Sequence, residues 1–154
     1  MKFAADTSVS TDQSRAEIER TLRKYGATSF MYGWDGPRAV VGFEMNSRRI
    51  KFVLPMPDPN DRAFTHTSGR ELQRTQAQAY AQWEQACRQR WRALNLVIKA
   101  KLEAVDCGIT QFEEEFLAHI VLPNGTTHGE FAIPQIDEVY ANKAMPKLLS
   151  FGGK

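Results

Sequence analysis

Four cationic side chains recur at helical spacing in the middle of this chain, and their chemistry suits phosphate groups. The segment from Gln73 to Cys107 predicts one long helix, and a rotation of about 100° per residue places these cations on one strip. The strip extends for about 38 Å, which spans several phosphates of a nucleic-acid backbone. Planar guanidinium groups bind phosphate well. This pattern predicts a nucleic-acid interface formed by Arg74, Arg88, Arg92 and Lys99.

A second interpretation of the strip is structural. Glu84 precedes Arg88 by four residues, and Lys99 precedes Glu103 by four, so both cations can form ion pairs on a solvated helix face. The spacing alone leaves the two interpretations open.

Other cations extend the predicted interface if the fold brings them beside the long helix. Three lie at the tip of a predicted hairpin, where charges also protect a sheet edge from association. Two lie in a polar loop that contains an aromatic side chain suited to stacking on an unpaired base. The hairpin cations are Arg48, Arg49 and Lys51, and the loop contributes Arg62, Phe64 and Arg70.

Catalytic and metal chemistry have weaker signals. Glu115 and His119 have the i,i+4 spacing of helical metal ligands and His128 follows, but an ordinary Glu–His ion pair explains the same spacing. The chain contains no HExxH or Cys-x-x-Cys motif. Cys87 falls on the apolar side of the long helix, which favours an inert core thiol. We therefore expect no enzymatic activity, no metal site and no cofactor.

The whole-chain composition indicates a single domain with a sizeable core. The 154 residues are 42% hydrophobic and 25% charged, and a net charge of +2 leaves nucleic-acid binding to local clusters. We expect a flexible arm at residues 1–13 and a frayed tail at residues 148–154. A polar start, two unpaired cysteines and no apolar run of about 18 residues predict a cytoplasmic location without membrane contact.

The elements that must position these residues define an α+β fold. Hydrophobic periodicity predicts a first helix, a three-stranded antiparallel meander, a long helix packed on the sheet, and short C-terminal helices. Ser14 and Glu17 have capping-box spacing and start the first helix, whereas Pro134 starts the last one. The predicted bounds are Arg15–Tyr25, strands Phe30–Trp34, Ala39–Met45 and Arg48–Met56, a polar loop at 57–72, the long helix, and helices Gln111–Ile120 and Gln135–Tyr140.

The apolar side of the long helix predicts what it buries. Its apolar residues recur every three or four positions, which assigns both of its tryptophans to the core. Leu96 lies well away from this stripe and predicts a second buried side, packed against another copy in a homodimer. The stripe consists of Tyr80, Trp83, Cys87, Trp91, Leu94, Ile98, Leu102 and Val105.

Five segments share a pattern with a known group of proteins. They are 86–94 (ACRQRWRAL), 99–103 (KAKLE), 112–125 (FEEEFLAHIVLPNG), 1–9 and 64–67. In these segments the chain resembles a family of small proteins of unassigned function encoded by bacteriophages and prophages. The resemblance implies a phage product that acts in the bacterial cytoplasm, in genome processing such as DNA replication or recombination, or against host defence. It implies no catalytic residue.

The order of helix, three antiparallel strands and helix also resembles a double-stranded-RNA-binding domain. The start of the long helix, 71–76 (ELQRTQ), lacks the lysine cluster that grips phosphates in that family. This resemblance therefore implies the architecture alone.

Two functions follow from these observations. The first is a non-enzymatic phage accessory protein that binds the backbone of DNA or RNA through the basic helix face. The alternative is an anti-defence inhibitor, similar in role to anti-CRISPR proteins, that binds a host nuclease or defence complex.

Overall fold

Helices cover one face of a small antiparallel sheet. The structure is a computed structural model, and it describes residues 4–145. In chain order the elements are α1 (Thr11–Lys24), β1 (Ser29–Asp35), β2 (Arg38–Met45), β3 (Arg48–Pro55), α2 (Arg62–Thr65), α3 (Gln76–Asp106), α4 (Phe112–Glu115), a 3₁₀ turn (Leu117–His119) and α5 (His128–Asn142). This order confirms the predicted α+β class, the meander and the long helix.

The sheet follows the order β1-β2-β3, and each strand is antiparallel to its neighbour. Asn46 and Ser47 connect β2 to β3 with φ angles of 51° and 59°, which a two-residue type I′ hairpin requires. Successive side chains of a strand point to opposite faces, so β2 buries Ala39, Val41 and Phe43 on its inner face.

The core lies between the inner face of the sheet and the helices. The Phe116 ring meets those of Phe43 and Phe52 edge to face, with centroid separations of 5.9 and 6.4 Å. Full burial of an apolar side chain of this size contributes about 1.5–3 kcal/mol. The helices also bury Ile18, Leu22, Trp91, Leu94, Ile98, Leu102 and Phe112 in this cluster.

The first helix begins one turn before the predicted start. Ser10 is the N-cap, because its Oγ accepts from the Gln13 N–H at 3.1 Å and the Gln13 side chain accepts from the Ser10 N–H at 3.2 Å. Ser14 is instead a buried residue inside α1, so its predicted capping role is wrong. The predicted arm thus includes the first turn of α1, and its Ala5 and Thr7 carbonyls accept hydrogen bonds from Gln85.

The long helix α3 begins at Gln76, three residues after the predicted start, because Thr75 forms its capping box with Gln78. Cys87, Trp91, Leu94, Ile98 and Leu102 are buried as the stripe predicts. Tyr80 is 59% exposed, and Trp83 is half-buried and lies outside the core cluster, so the predicted places of these two residues in the core are wrong. Within residues 4–145 no helix is both long and apolar enough to cross a membrane.

The polar segment at 57–72 contains local structure. Asp61 caps the short helix α2, and its side chain accepts from the Ala63 N–H at 2.9 Å. His66 then pairs with Gln73 in an isolated bridge. The segment therefore returns to the start of α3 as a folded loop.

The C-terminal elements differ most from the prediction. The predicted helix Gln111–Ile120 is in fact α4 followed by the separate 3₁₀ turn. The last helix starts at His128 and contains Pro134 inside it, because Thr127 and Glu130 form a capping box seven residues before that proline. The predicted frayed tail, residues 148–154, lies outside the described residues.

Candidate nucleic-acid interface

The α3 cations nearest to α1 are bound by side chains of the same chain. The Arg92 Nη1 atom donates to Glu17 Oε2 at 2.6 Å, and the buried Asn95 amide donates to the same oxygen at 2.6 Å. Burial raises the pKa of Glu17, but the hydrogen bonds from Asn95 and Arg92 outweigh it and leave that pKa below its usual value. Arg92 therefore joins α1 to α3.

Arg88 also has partners within its own helix. Its guanidinium donates twice to the Gln85 side chain, at 3.0 and 2.6 Å, and lies 3.5 Å from the Glu84 carboxylate. This i,i+4 ion pair with Glu84 is the one that the structural interpretation of the strip predicts. The Gln85 amide in turn holds the residues before α1, so Arg88 belongs to the contact between α3 and the start of the chain.

Arg74 and Lys99 lie at opposite ends of the predicted strip and have different surroundings. Arg74 Nη1 donates to the carbonyls of Ala63, Phe64 and His66 at 3.0, 3.0 and 2.7 Å, which satisfies carbonyls of α2 and of the residue after it. Lys99 is exposed. The predicted partner of Lys99, Glu103, accepts a hydrogen bond from Tyr25 Oη at 2.7 Å.

The loop candidates lie near the first residues of α3. Arg62 pairs with Glu71 at 3.1 Å, Phe64 is half-buried, and Arg70 is exposed. Trp83 joins α3 to the residues that follow β3, because its Nε1 donates to the Pro57 carbonyl at 2.8 Å.

The hairpin candidates lie at the other end of α3 and partly on the other side of the sheet. Thr28 follows α1 and donates to the Glu44 carbonyl at 2.9 Å, so the β2–β3 tip lies beside the end of α1. Because Ile50 and Phe52 face the core, strand alternation directs Arg49 and Lys51 to the open face. Arg48 is exposed beside the turn. The predicted cations therefore form separate groups on this fold.

The open face of the sheet contains a groove of about 610 Å³. Its floor is apolar, with Met31 above Gly42 and with Val40 beside them. Arg49 and Lys51 line it from β3, and the Arg49 Nε atom donates to Glu44 at 3.0 Å. Lys51 Nζ donates to the Gly125 carbonyl at 3.4 Å, a long contact that leaves its charge at the groove. The groove therefore combines an apolar surface with cations on one side.

The residues considered for a metal site have other contacts. Glu115 Oε1 accepts from Lys101 Nζ at 3.1 Å, and this bond holds the pKa of Glu115 below its usual value. His119 stacks on Phe52 at 4.0 Å, and burial lowers the pKa of that histidine, which favours its neutral form. Within residues 4–145 no three His, Cys, Asp or Glu side chains are grouped closely enough to hold a metal ion.

Neither cysteine lies where its thiol is activated. Burial raises the pKa of the Cys87 thiol, and the hydrogen bond to Glu103 raises that of Cys107. A raised pKa reduces the thiolate fraction at neutral pH, and the thiolate is the nucleophile.

The groove includes residues that the sequence patterns did not single out. Met31, Gly33, Val40 and Gly42 contribute to it because their register places them on the open face. The alternation of β1 and β2 was visible in the sequence, but which face would remain open was not. Comparison with protein families, curated proteins and solved structures found no match for this chain.

Proposed function

We propose that this protein is a non-enzymatic phage accessory protein that binds single-stranded DNA or RNA in the bacterial cytoplasm, using the open face of its sheet. The observation that carries the proposal is the groove in which Arg49 and Lys51 flank an apolar floor. The resemblance of the chain to phage proteins supports the cellular context.

The groove suits unpaired bases better than a duplex. The apolar side chains of Met31 and Val40 offer contact to the faces of unpaired bases, while Arg49 and Lys51 lie close enough to neutralise the connecting phosphates. On α3, Arg88 and Arg92 pair with acids and are only 26% and 25% exposed. Arg49 in the groove also pairs with an acid, Glu44, but it is 74% exposed, and Lys51 has no ion pair among the described residues. The open face therefore replaces the helix strip as the preferred interface.

The test is fluorescence anisotropy with labelled oligothymidylate, oligouridylate and a duplex of equal length, each over a range of salt concentrations. We expect the single strands to bind more tightly than the duplex. The double variant Arg49→Glu, Lys51→Glu should weaken binding and reduce the salt slope by about 1.4, because each single-strand phosphate contact contributes about 0.7.

The matched control is Arg70→Glu, Lys99→Glu, which changes the net charge equally at two exposed positions away from the groove. It should retain most of the affinity. Equal losses in the two variants, with circular dichroism showing both folded, would assign binding to overall charge and contradict the groove. Absence of salt-dependent binding by the unmodified protein would contradict the whole proposal.

A second candidate function is binding of a host protein, as an anti-defence inhibitor would do. The observation that favours it is the exposed apolar side of α5, where Ile133, Ile136 and Tyr140 are 56%, 50% and 80% exposed. Their i, i+3, i+7 spacing forms one stripe on a helix. Such stripes dock into apolar grooves of partner proteins.

This candidate is tested by affinity capture from nuclease-treated bacterial lysate. A bound protein that the triple variant Ile133→Ser, Ile136→Ser, Tyr140→Ser loses, but the groove variant retains, would support α5 as the interface. Loss of all bound proteins after nuclease treatment would contradict it and favour nucleic acid.

A further inference from the structure

The outer edge of β1 is an unprotected strand edge. Among residues 4–145 β1 pairs only with β2, and its residues 30–34 include no charged residue and no proline. Proteins usually protect such edges with lysine, proline, bulges or a covering segment. Here Met31, Tyr32 and Trp34 are 70%, 51% and 83% exposed. The edge therefore offers a template for another strand.

The strand register identifies the backbone groups on this edge. The Met56 N–H donates to the Pro37 carbonyl, so odd-numbered residues of β2 bond to β3 and even-numbered ones bond to β1. The β1 residues that pair with those even-numbered β2 residues are odd-numbered, so the odd-numbered residues of β1 direct their backbone groups toward β2. It follows that Phe30, Tyr32 and Trp34 direct their N–H and C=O groups away from β2. Among residues 4–145, none bonds to these outward groups.

We propose that β1 pairs antiparallel with β1 of a second copy, with Tyr32 at the two-fold axis, so that two sheets join into one of six strands. This register matches Tyr32 with Tyr32, and Phe30 with Trp34, in three pairs that each exchange two hydrogen bonds. A shift by one step to either side leaves only two such pairs. Centring on Tyr32 therefore uses every outward group of Phe30, Tyr32 and Trp34.

Side-chain sizes also match in this register. On the open face, Met31 of each copy lies opposite Gly33 of the other. A Cβ atom on Gly33 would meet no atom within 4 Å, so there is space above it. Within one chain Met31 already packs over a glycine in the same way, because a Cβ on Gly42 would lie 3.3 Å from the Met31 Cγ atom. Met31 would thus be enclosed by two glycines.

The charges on α1 are paired within each copy. α1 lies beneath β1, since the Arg15 guanidinium is 4.7 Å from the centre of the Tyr32 ring. Asp12 pairs with Arg15, and Arg23 pairs with Glu19 at 2.7 Å, so these charges do not distinguish a second copy from another strand. The match of Met31 with Gly33 favours a second copy over an unrelated strand, because each copy supplies both residues of the match.

Engineered disulfides test the register. In a Cys107→Ser background, Met31→Cys with Gly33→Cys places two thiols opposite each other across the interface, at a separation that a disulfide accepts. We expect this variant to form a covalent dimer on mild oxidation, whereas Met31→Cys alone or Gly33→Cys alone should remain uncrosslinked. Equal crosslinking of a single-cysteine variant would contradict the proposed register.

Sedimentation velocity over a concentration series tests the association itself. We expect the unmodified protein to dimerise and Met31→Lys, Trp34→Lys to be monomeric. The matched control Ile109→Lys, Met145→Lys adds the same charge at two positions that are 76% and 81% exposed, and it should dimerise normally. A monomer at every concentration, or a dimer that tolerates the edge lysines, would overturn the proposal. The groove variant Arg49→Glu, Lys51→Glu should still dimerise, so this outcome is separable from nucleic-acid binding.

Discussion

Ser10 and Ser14 have different roles in α1: one is the N-cap and the other is a buried residue inside the helix. Ser10 caps α1, whereas the Ser14 side chain is fully buried and its Oγ has no hydrogen-bond partner among the described residues. A buried hydroxyl without a partner costs about 1–3 kcal/mol. Ser14 therefore lowers the stability of the helix that it was predicted to start.

Alanine substitutions separate these two roles. We expect Ser14→Ala to raise the free energy of unfolding by up to about 1 kcal/mol, because it removes the unsatisfied hydroxyl. Ser10→Ala should lower it by about 1 kcal/mol, because the Gln13 N–H loses its acceptor. Urea denaturation measures both changes. A larger loss for Ser14→Ala than for Ser10→Ala would mean that the Ser14 hydroxyl is bonded.

Glu17 makes stability depend on pH. Its pKa is lowered from 4.5, so the folded state gains stability from its charge above that pH and loses it as the pH falls through the lower folded value. The Glu17 side chain is 36% exposed, so solvent screening limits the effect to about 1 kcal/mol or less. We expect Glu17→Gln to reduce the loss of stability on acidification below pH 4.5, as measured by urea denaturation at several pH values. Glu138→Gln, at an exposed position on α5, is the matched control for the loss of one carboxylate.

At the scale of elements, three helices begin with the same device. α1, α3 and α5 each have a Ser or Thr N-cap and a Gln or Glu three residues later whose side chain bonds back. Ser14 and Glu17 have the same spacing but lie inside a helix, so the motif alone did not locate the start of α1. The Thr127 box located α5 better than Pro134 did, because proline is also tolerated within a helix that other contacts stabilise.

Arg74 holds α2 against the start of α3, and its removal should loosen that segment alone. We expect Arg74→Ala to speed amide exchange at residues 61–75, because three carbonyls lose a charged donor. Exchange in the sheet should be unchanged, since the core does not include α2. Hydrogen exchange followed by mass spectrometry makes the measurement, with Arg70→Ala as the control. Equal acceleration in both variants would show that Arg74 does not restrain the loop.

At the scale of the whole molecule, the open sheet face and the β1 edge are adjacent. A two-fold axis perpendicular to the sheet keeps both open faces on the same side, so two grooves would form one longer surface. The proposed dimer and the proposed nucleic-acid interface are therefore compatible in one assembly.

Dimerisation also couples stability to protein concentration. If only the folded chain pairs through β1, mass action stabilises it, and the thermal midpoint should rise with concentration. The variant Met31→Lys, Trp34→Lys should show a constant midpoint, and calorimetry at several concentrations checks both. A constant midpoint for the unmodified protein, at concentrations where sedimentation shows a dimer, would mean that pairing survives unfolding.

The sequence by itself determined the three strands, the long helix and the faces that they bury, but not the short helix α2 or the division of the C-terminal helices. The alternation in β2 and the stripe from Cys87 to Leu102 are repeated within single segments, so they can be recognised without knowing the fold. Helix ends were less predictable. Capping-box spacing occurs at both Ser10 and Ser14, and a proline such as Pro134 is compatible with more than one position in a helix.

Only the tertiary structure decided which cations face solvent and which sheet face remains open. Arg92 meets Glu17 across 75 residues of sequence, and no local pattern contains that contact. The same holds for the groove, because Met31 and Lys51 share a surface only after three strands are in register. Side-chain type and helical spacing follow from the chain, whereas the partner of a charge depends on how separate elements pack.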